Sequence, residues 1–295
     1  MSDWSVRDKR VVITGATNGI GLAAAEELAR RGAKLAIVAR NDVRAKDAVR
    51  RITAAGGDDV DVLLADLAAQ SSVRALAAEV LERYPRLDVL VNNAGAINEK
   101  RELTGDGVEL TWAVNHLAPF LLTTRLLDRL KGSAPARIVT TTSDAHQSAK
   151  GGIPFDDLTG ERSWRMRGFQ RYGETKLANI LFTSELARRL EGTGVTANCF
   201  HPGLVATGFN RNNGILMKTA MTFVRPFSRN PRKGAATLVW LVDSPEVVGE
   251  SGGYFFDQKR ATPTPQAQDM EAARHLWEIS EEQTRATAER ERGGH

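Results

Sequence analysis

The chain has 295 residues, enough for one large domain or two small ones. Hydrophobic residues make up 42% of it and charged residues 26%, which excludes wholesale disorder, and a chain of this length buries a large core without disulfide bonds. The formal net charge of +4 is small and thinly spread, so it favours acidic ligands such as phosphates without predicting a nucleic-acid partner.

Simple counts exclude two further classes. Cys199 is the only cysteine, so the chain forms neither an intrachain disulfide nor a cysteine-rich zinc site. The N-terminal stretch MSDWSVRDKR is polar and charged, and no apolar run approaches the roughly 18–20 residues that a membrane span needs. We therefore expect a cytoplasmic protein without a membrane span and without a bound metal.

Short β-branched segments, almost continuously apolar, alternate with amphipathic helical segments along most of the chain. Such strands are typical of a parallel sheet buried on both faces, and parallel strands require crossover helices. We predict a single-domain α/β fold of the Rossmann type, a doubly wound sheet of about seven parallel strands flanked by helices. The predicted strands are Arg10–Thr14, Lys34–Ala39, Val60–Ala65, Leu87–Asn92, Arg137–Thr142, Val195–Phe200 and Gly253–Phe256. The predicted helices are Ile20–Arg31, Asp42–Ala55, Ser71–Arg83, Gly107–Leu130, Tyr172–Leu190, Arg232–Leu241 and Ala272–Arg290.

A glycine-rich turn, TGATNGIG at Thr14–Gly21, joins the first strand directly to a helix. Glycine permits positive φ and close approach of a phosphate to the backbone, and the helix N-terminus offers free N–H groups to a pyrophosphate. The first strand–helix junction of a doubly wound sheet is where nucleotides bind. We expect the cofactor on Gly15, Thr17, Asn18, Gly19, Ile20 and Gly21.

The spacing TGxxxGxG resembles the short-chain dehydrogenase/reductase family, and later motifs extend the resemblance from Arg10 to about Phe256. In LLADL, Asp66 resembles the family aspartate that binds the adenine amino group, with the Leu67 backbone beside it. The run Asn92–Gly95 matches the family's NNAG motif. The resemblance implies that its first asparagine holds the central sheet and that Asn93, Ala94 and Gly95 lie against the cofactor ribose.

The residues after the second strand predict the choice of dinucleotide. Sites that prefer NAD usually carry an acidic side chain at this tip, where the chain has Ala39 and then Arg40. A guanidinium binds a 2′-phosphate bidentately and can stack on adenine, so we expect NADP(H) in preference to NAD(H). We interpret the nearby Asp42 as the first residue of a helix rather than as a ribose ligand.

Four residues resemble the family's catalytic set. Tyr172 and Lys176 lie four positions apart, so one helical turn places both side chains on one face. A nearby ammonium and an oxidised nicotinamide would lower the tyrosine pKa from its usual value near 10. Ser143 resembles the serine that donates to the substrate oxygen, and Asn115 resembles the asparagine that holds a water beside the lysine.

The sixth strand leads into the sequence HPG. The resemblance implies that Pro202, Gly203, Val205 and Thr207 close over the nicotinamide carboxamide. We interpret His201 as an anchor of this loop and His146 as a residue lining the pocket, because no second ligand at metal spacing accompanies either. Cys199 is interpreted as an inert, small hydrophobic residue.

Ser143 and Tyr172 are 29 positions apart, about twice the usual family spacing, and the insert contains IPFDDLTGERSW. The insert, YGETKLANILF and the late LWEISEE resemble the retinol dehydrogenase-like subgroup, including the oxidoreductase part of WW-domain oxidoreductases. This implies a lipophilic carbonyl or alcohol substrate. Membrane-bound retinol enzymes carry an N-terminal anchor that this sequence lacks, so a retinoid is not favoured.

We therefore expect residues 1–260 to form the NADP(H)-binding and catalytic domain, with a substrate lid at about 204–231. Residues 261–295 are expected to form a C-terminal extension with one helix and a disordered end. The lid region mixes apolar residues with Arg211, Lys218, Arg225 and Arg229, so a membrane-surface helix or plain packing are alternatives. The resemblance also permits a homo-oligomer.

Two other functions remain open from the sequence. Light-dependent protochlorophyllide reductases share the tyrosine, the lysine and a long insert, so reduction of a C=C bond is possible, but they have a cysteine-rich pocket. A regulatory protein that senses NADP(H) without chemistry is the other alternative. Such proteins usually lose the tyrosine or the lysine, and this chain keeps both.

Overall fold

The computed structural model describes residues 4–162, 164–205 and 229–293. Within this part of the chain one sheet contains eight strands in the order β3-β2-β1-β4-β5-β6-β7-β8. The strands are β1 (Arg10–Thr14), β2 (Lys34–Ala39), β3 (Val60–Leu64), β4 (Val89–Asn92), β5 (Ala136–Thr141), β6 (Val195–Phe200), β7 (Tyr254–Phe256) and β8 (Lys259–Arg260). The first seven pair in parallel, which confirms the predicted doubly wound α/β fold.

The eighth strand was not predicted. It is two residues long and pairs antiparallel with β7. Asp257 and Gln258 join the two strands with φ values of 48° and 61°, the geometry of a tight two-residue hairpin. Neither residue is glycine, so the usual sequence signal for such a turn is absent.

Helices cover both faces of the sheet. They are α1 (Gly19–Arg30), α2 (Asp42–Ala54), α3 (Gln70–Arg83), α4 (Leu110–Trp112), α5 (Ala118–Gly132), α6 (Phe169–Arg189), α7 (Pro231–Asp243) and α8 (Met270–Gly293). Helices α1, α2 and α7 build the core on one face, and α3, α5, α6 and α8 build it on the other. The segment predicted as a C-terminal extension thus packs into the same core, where Trp277 stacks on Phe182 at 5.9 Å between ring centroids.

The long predicted helix Gly107–Leu130 is divided and begins later. Glu109 caps it by accepting hydrogen bonds from the backbone N–H groups of Thr111 and Trp112, both at 2.9 Å. Between α4 and α5 lies a π-helical turn, Ala113–Leu117. Pro119 has no N–H, so the α-helical bond that would return to the Asn115 carbonyl cannot form. The interruption therefore falls at a predicted catalytic residue, as π-turns often do.

Candidate active site

The predicted site residues gather at one edge of the sheet. The parallel strands β1 to β6 all end there, and the strand order reverses between β1 and β4, which is where ligands bind in open α/β sheets. The glycine turn follows β1, Arg40 follows β2, Asp66 follows β3, the NNAG run follows β4, Ser143 follows β5 and the HPG loop follows β6.

The glycine turn is packed tightly against the end of β4. A Cβ at Gly15, where φ is 69°, would lie 2.8 Å from the Ala94 Cα. A Cβ at Gly21 would lie 2.3 Å from the Gly15 carbonyl oxygen and 2.5 Å from Asn93 Nδ2. Side chains are therefore excluded at Gly15 and Gly21 by the protein itself, and the turn presents bare backbone at these two positions.

The N-terminus of α1 has free N–H groups for an anion. Its N-cap residue, Asn18, makes no side-chain capping bond, and the first turn has no acidic residue. By contrast, Asn41 and Asn230 cap α2 and α7 with side-chain acceptors. Together with the glycine cradle, these groups fit a dinucleotide pyrophosphate. Thr17, Gly19 and Ile20 lie partly exposed in the same turn.

The two asparagines of the NNAG motif make different contacts from those expected. Asn92 was expected to hold the central sheet, but its amide donates to Thr123 of α5 at 2.9 Å. Asn93 makes the sheet contacts instead: its amide donates to the Thr14 carbonyl at 3.1 Å and accepts from Thr141 Oγ1 at 3.2 Å. Alternation along β4 explains the exchange, because successive side chains point to opposite faces.

The Thr14 hydroxyl links β1 to the start of the NNAG loop. It accepts from the backbone N–H groups of Asn93 and Ala94, each at 3.0 Å. Ala94 and Gly95 are consequently held beside the glycine turn, partly exposed at the sheet edge. This arrangement leaves small residues where a ribose would approach.

Arg40 is exposed and, within the described residues, makes no hydrogen bond or ion pair. Asp42 is the first residue of α2, as expected, and its carboxylate pairs with Lys46 at 2.6 Å. Asp66 is exposed, and its Oδ1 accepts from the Ala68 N–H at 3.0 Å, with Leu67 partly buried between them. One guanidinium and one carboxylate therefore reach solvent beyond β2 and β3.

The three predicted catalytic side chains that follow β5 and lie on α6 are close together. The Tyr172 hydroxyl is hydrogen-bonded to Ser143, and this bond opposes the larger effect of burial on the tyrosine pKa. Lys176 Nζ lies 5.3 Å from the centroid of the Tyr172 ring and donates to the Thr141 carbonyl at 3.3 Å. Ser143 follows β5 by two residues and caps the 3₁₀ turn Asp144–Ser148.

The expected lowering of the tyrosine pKa is wrong for the protein alone. Burial raises the pKa of Tyr172 to about 12, with the Ser143 hydrogen bond working against the increase. Burial also lowers the pKa of Lys176 to about 8. The lysine is itself desolvated and its Nζ bonds to a carbonyl oxygen, so its charge does not offset the burial of the phenol.

Asn115 is fully buried in the π-helical turn, and its side chain is committed to protein contacts. Its Oδ1 accepts from the Ala96 N–H at 2.7 Å, and its Nδ2 donates to the Ala96 carbonyl at 2.8 Å and to Thr175 Oγ1 at 3.0 Å. The Thr175 hydroxyl in turn donates to the Tyr172 carbonyl at 2.7 Å. Asn115 thus joins the NNAG loop to the helix that carries Tyr172 and Lys176.

Two histidines hold the loops around the site. His146 Nδ1 contacts the Ser143 carbonyl at 2.8 Å, and its Nε2 accepts from the Thr264 N–H at 3.4 Å. His201 Nδ1 accepts from the Gly203 N–H at 3.3 Å, as expected for a loop anchor, and its ring stacks on Phe256 at 4.1 Å. Burial lowers the pKa of both histidines, which keeps their rings neutral.

The HPG loop is described only at its two ends. Pro202, Gly203 and Val205 follow β6, whereas Thr207 and most of the predicted lid lie outside the described residues. Arg229, one of the basic residues that made a membrane-surface helix an alternative, is paired with Asp257, Nη2 to Oδ2 at 2.9 Å. Its backbone N–H also donates to the Leu204 carbonyl at 2.7 Å, so residues on both sides of the gap are joined.

Sequence reasoning missed a buried charge cluster beside Tyr172. Arg171 is 3% exposed and its Nη1 pairs with Glu174 at 2.9 Å, while its Nε lies 3.9 Å from Glu109. Its Nη2 donates to the Asp157 carbonyl at 2.8 Å, which ties the insert to α6. Burial raises the pKa of both Glu109 and Glu174. Arg171 and Glu174 lie one helical turn apart, and only the tertiary fold brings Glu109 and Asp157 to them.

A cavity of about 1020 Å³ lies at the opposite edge of the sheet, near the amino ends of β5 and β6. Arg137 lines it, but its guanidinium is already bonded to the Leu241, Val242 and Ser244 carbonyls. Ligands of this fold bind at the other edge, where Ser143 and Tyr172 lie. Among the described residues no helix is long and apolar enough to cross a membrane, and no cluster of potential metal ligands occurs.

Comparison with known proteins agrees with this geometry. A family model described as short chain dehydrogenase matches residues 9–154. The chain is 45% identical over 290 residues to retinol dehydrogenase 14 of Homo sapiens, covering 92% of this chain and 85% of that protein. It is 40% identical over 272 residues to DnrU of Streptomyces sp. (strain C5), whose name refers to daunorubicin C-13 keto reduction, covering 92% of this chain and 91% of that protein.

Among solved structures, a short chain dehydrogenase from Burkholderia cenocepacia J2315 in complex with NADP is similar, with a TM-score of 0.68 and 29% identity over 85% of this chain and 96% of that one. The chain therefore belongs to the short-chain dehydrogenase/reductase family and is retinol dehydrogenase-like. It is an oxidoreductase of the alcohol–carbonyl type that uses a nicotinamide cofactor and a small-molecule substrate.

Proposed function

We propose that this protein is an NADP(H)-dependent oxidoreductase that interconverts a lipophilic aldehyde or ketone with the corresponding alcohol, with Tyr172 as acid and base. The observation that carries the proposal is the hydrogen-bonded pair Ser143–Tyr172, with Lys176 one helical turn away. The pair lies at the same sheet edge as the glycine turn, where a bound dinucleotide would supply a hydride.

The protonation state of the pair favours reduction. Because burial raises the pKa of Tyr172 to about 12, the phenol keeps its proton at neutral pH and can donate it to a developing alkoxide. The Ser143 hydroxyl polarises the same substrate oxygen. Oxidation of an alcohol requires the opposite step, loss of the phenol proton, which the positive charge of an oxidised nicotinamide would favour.

Lys176 and Asn115 supply the proton path behind the tyrosine. The Lys176 ammonium uses one hydrogen on the Thr141 carbonyl, so two remain for ribose hydroxyls or water. The Asn115 side chain is already committed, so its backbone carbonyl is the group that would hold a water. Pro119 leaves that carbonyl without its α-helical donor, which supports this role.

Arg40 supports NADP(H) over NAD(H). It is an exposed guanidinium at the tip of β2, with Ala39 where an NAD-preferring site would carry a carboxylate. Asp42, the nearest acidic residue, is paired with Lys46. The Burkholderia relative, solved in complex with NADP, is consistent with this choice.

Exposed apolar side chains at the start of α6 and in the loop after β6 support a lipophilic substrate. The Phe169 ring lies 6.4 Å from the Tyr172 ring and is 37% exposed, and Met166 is 71% exposed. Leu204, in the loop after β6, is also exposed. Exposed apolar groups of this size, one of them packed beside the Tyr172 ring, are typical of a ligand-binding surface.

The test follows absorbance at the reduced-nicotinamide band while NADPH or NADH is offered with aliphatic, aromatic and terpenoid aldehydes and ketones. We expect consumption of NADPH, and a loss of at least about 100-fold in kcat for Tyr172→Phe with cofactor binding retained. Full turnover by Tyr172→Phe would contradict the catalytic assignment. Binding of NADPH with no consumption of it by any substrate would favour the non-catalytic alternative.

The cofactor preference has its own variant. Arg40→Ala should raise KM for NADPH about 10- to 100-fold, because a charge-assisted bidentate contact is lost, and should leave KM for NADH unchanged. Arg50→Ala, an exposed arginine of α2 that pairs with Asp47, is the matched control. Equal effects of the two substitutions on NADPH would refute the role of Arg40.

A further inference from the structure

The C-terminal helix α8 contacts the π-helical turn that carries Asn115. Asn115 faces the catalytic helix α6 from this turn, while the neighbouring His116 faces α8. The side chains of Trp112 and His116, which flank Asn115, are fully buried. None of the catalytic roles described above uses either of them.

His116 is bonded to a serine of α8. Its Nε2 lies 2.8 Å from Ser280 Oγ, and both side chains are fully buried. The Ser280 hydroxyl donates its only hydrogen to the Leu276 carbonyl at 2.7 Å, so it must accept from His116 Nε2–H. The tautomer of the imidazole is thereby set by α8.

The π-helical turn also packs against α6, the helix that carries Lys176. The His116 ring meets Phe182 of α6 edge-on, with 6.3 Å between ring centroids, and the Asn179 amide of α6 donates to the Thr141 carbonyl at 3.4 Å. The same carbonyl accepts from Lys176 Nζ at 3.3 Å. His116 therefore lies between Ser280 of α8 and the helix that carries the lysine.

A second contact holds the other end of the turn. The Trp112 indole N–H donates to Gln283 Oε1 at 3.2 Å, and the Trp112 and His116 rings are 4.7 Å apart. A π-turn is less favourable than an α-turn, so it persists where surrounding contacts hold it. A change in the spacing of this turn would rotate Asn115 away from Ala96 and Thr175.

We propose that α8 is a positioning element of the active site, and that Ser280, His116 and Gln283 are positioning residues that hold the π-turn so that Asn115 stays in place. The inference rests on the proposed function only for its kinetic consequence; the mechanical coupling stands on the contacts alone. A displacement of about 1 Å at a catalytic group is enough to cost up to about 100-fold in rate.

The test compares Ser280→Ala with Thr284→Ala in the full-length chain. Thr284 is a buried hydroxyl one turn further along α8, and within the described residues its Oγ1 bonds only inside that helix, to the Ser280 and Glu281 carbonyls. We expect similar decreases in Tm for the two variants. Only Ser280→Ala should lower kcat, by about tenfold, with the Kd for NADPH unchanged, and Ser280→Thr should restore most of it.

Hydrogen–deuterium exchange of the peptide covering residues 110–120 is the second readout and requires no substrate. Faster exchange in Ser280→Ala, with Thr284→Ala like the unmodified chain, is the expected result. Equal exchange or equal kcat in the two variants would overturn the proposal. If the unmodified chain reduces no carbonyl compound, the proposed function fails, and the exchange data still decide the coupling.

Discussion

Adding one methyl group at Gly21 should destabilise the fold and impair the cofactor site together. In Gly21→Ala the new Cβ would lie 2.3 Å from the Gly15 carbonyl oxygen and 2.5 Å from Asn93 Nδ2. An unstrained carbon contact needs about 3.5 Å, so the turn or the asparagine must move by about 1 Å. Asn93 Nδ2 is anchored to the Thr14 and Gly15 carbonyls at 3.1 and 3.3 Å, so this movement breaks hydrogen bonds.

The magnitude follows from these contacts. Overpacking costs about 1–3 kcal/mol, and loss of the two amide bonds costs about 1 kcal/mol each. Alanine recovers about 1 kcal/mol through its better helix propensity. The net decrease in the free energy of unfolding is about 3 kcal/mol, or a Tm lower by about 6–12 °C in a chain of this size.

Urea and thermal unfolding measure the stability, and NADPH titration by nicotinamide fluorescence measures the site. Gly132→Ala is the matched control, because nothing lies within 4 Å of its added Cβ. Its stability should equal that of the unmodified chain or exceed it by up to about 1 kcal/mol. A Gly21→Ala protein with the same stability and the same affinity for NADPH as Gly132→Ala would refute the steric reasoning.

Three further predictions concern buried groups. The free energy of unfolding should fall as the pH is lowered from 6.5 to 4, because burial holds the pKa of His116 at about 3 while the unfolded chain binds this proton near pH 6.5. In urea unfolding experiments, the free energy of unfolding of His116→Gln should fall less over this pH range. Cys199 should resist a thiol reagent at pH 8 until the chain is unfolded, because burial raises its pKa to about 12, and rapid labelling of the native protein would contradict this. Arg137→Leu should lower the free energy of unfolding, measured with denaturant, by about 3–5 kcal/mol, because three carbonyl groups lose their donor. The Arg188 side chain is 55% exposed, so the control Arg188→Leu should change the free energy of unfolding little.

Local sequence patterns were sufficient to predict the strands of the sheet and the glycine turn. Seven strands were predicted from short β-branched runs, and β1, β2 and β6 begin and end as predicted, because a strand buried on both faces has little tolerance for polar residues. The glycine turn was also readable, since its constraint lies within eight consecutive residues and one neighbouring strand. The helix that begins near Tyr172 places Lys176 one turn later by geometry alone.

The hydrogen-bond partners and the pKa shifts at the site depend on contacts between distant segments and were not predicted from the sequence. Alternation along β4 assigned the sheet contacts to Asn93 rather than Asn92, a choice that depends on which face meets α5. The direction of the Tyr172 pKa depends on how deeply the phenol is buried, which no spacing records.

The sequence by itself determined the class of fold, the glycine turn and the identity of the four catalytic candidates, because each is recognised within a short stretch of sequence. The tertiary structure alone decided how these groups are held: the π-turn at Asn115, the charge cluster at Arg171 and the contact of His116 with Ser280. These features come from segments up to 164 residues apart, and their energies arise from burial and from mutual hydrogen bonding. Such energies exist only after the chain has folded.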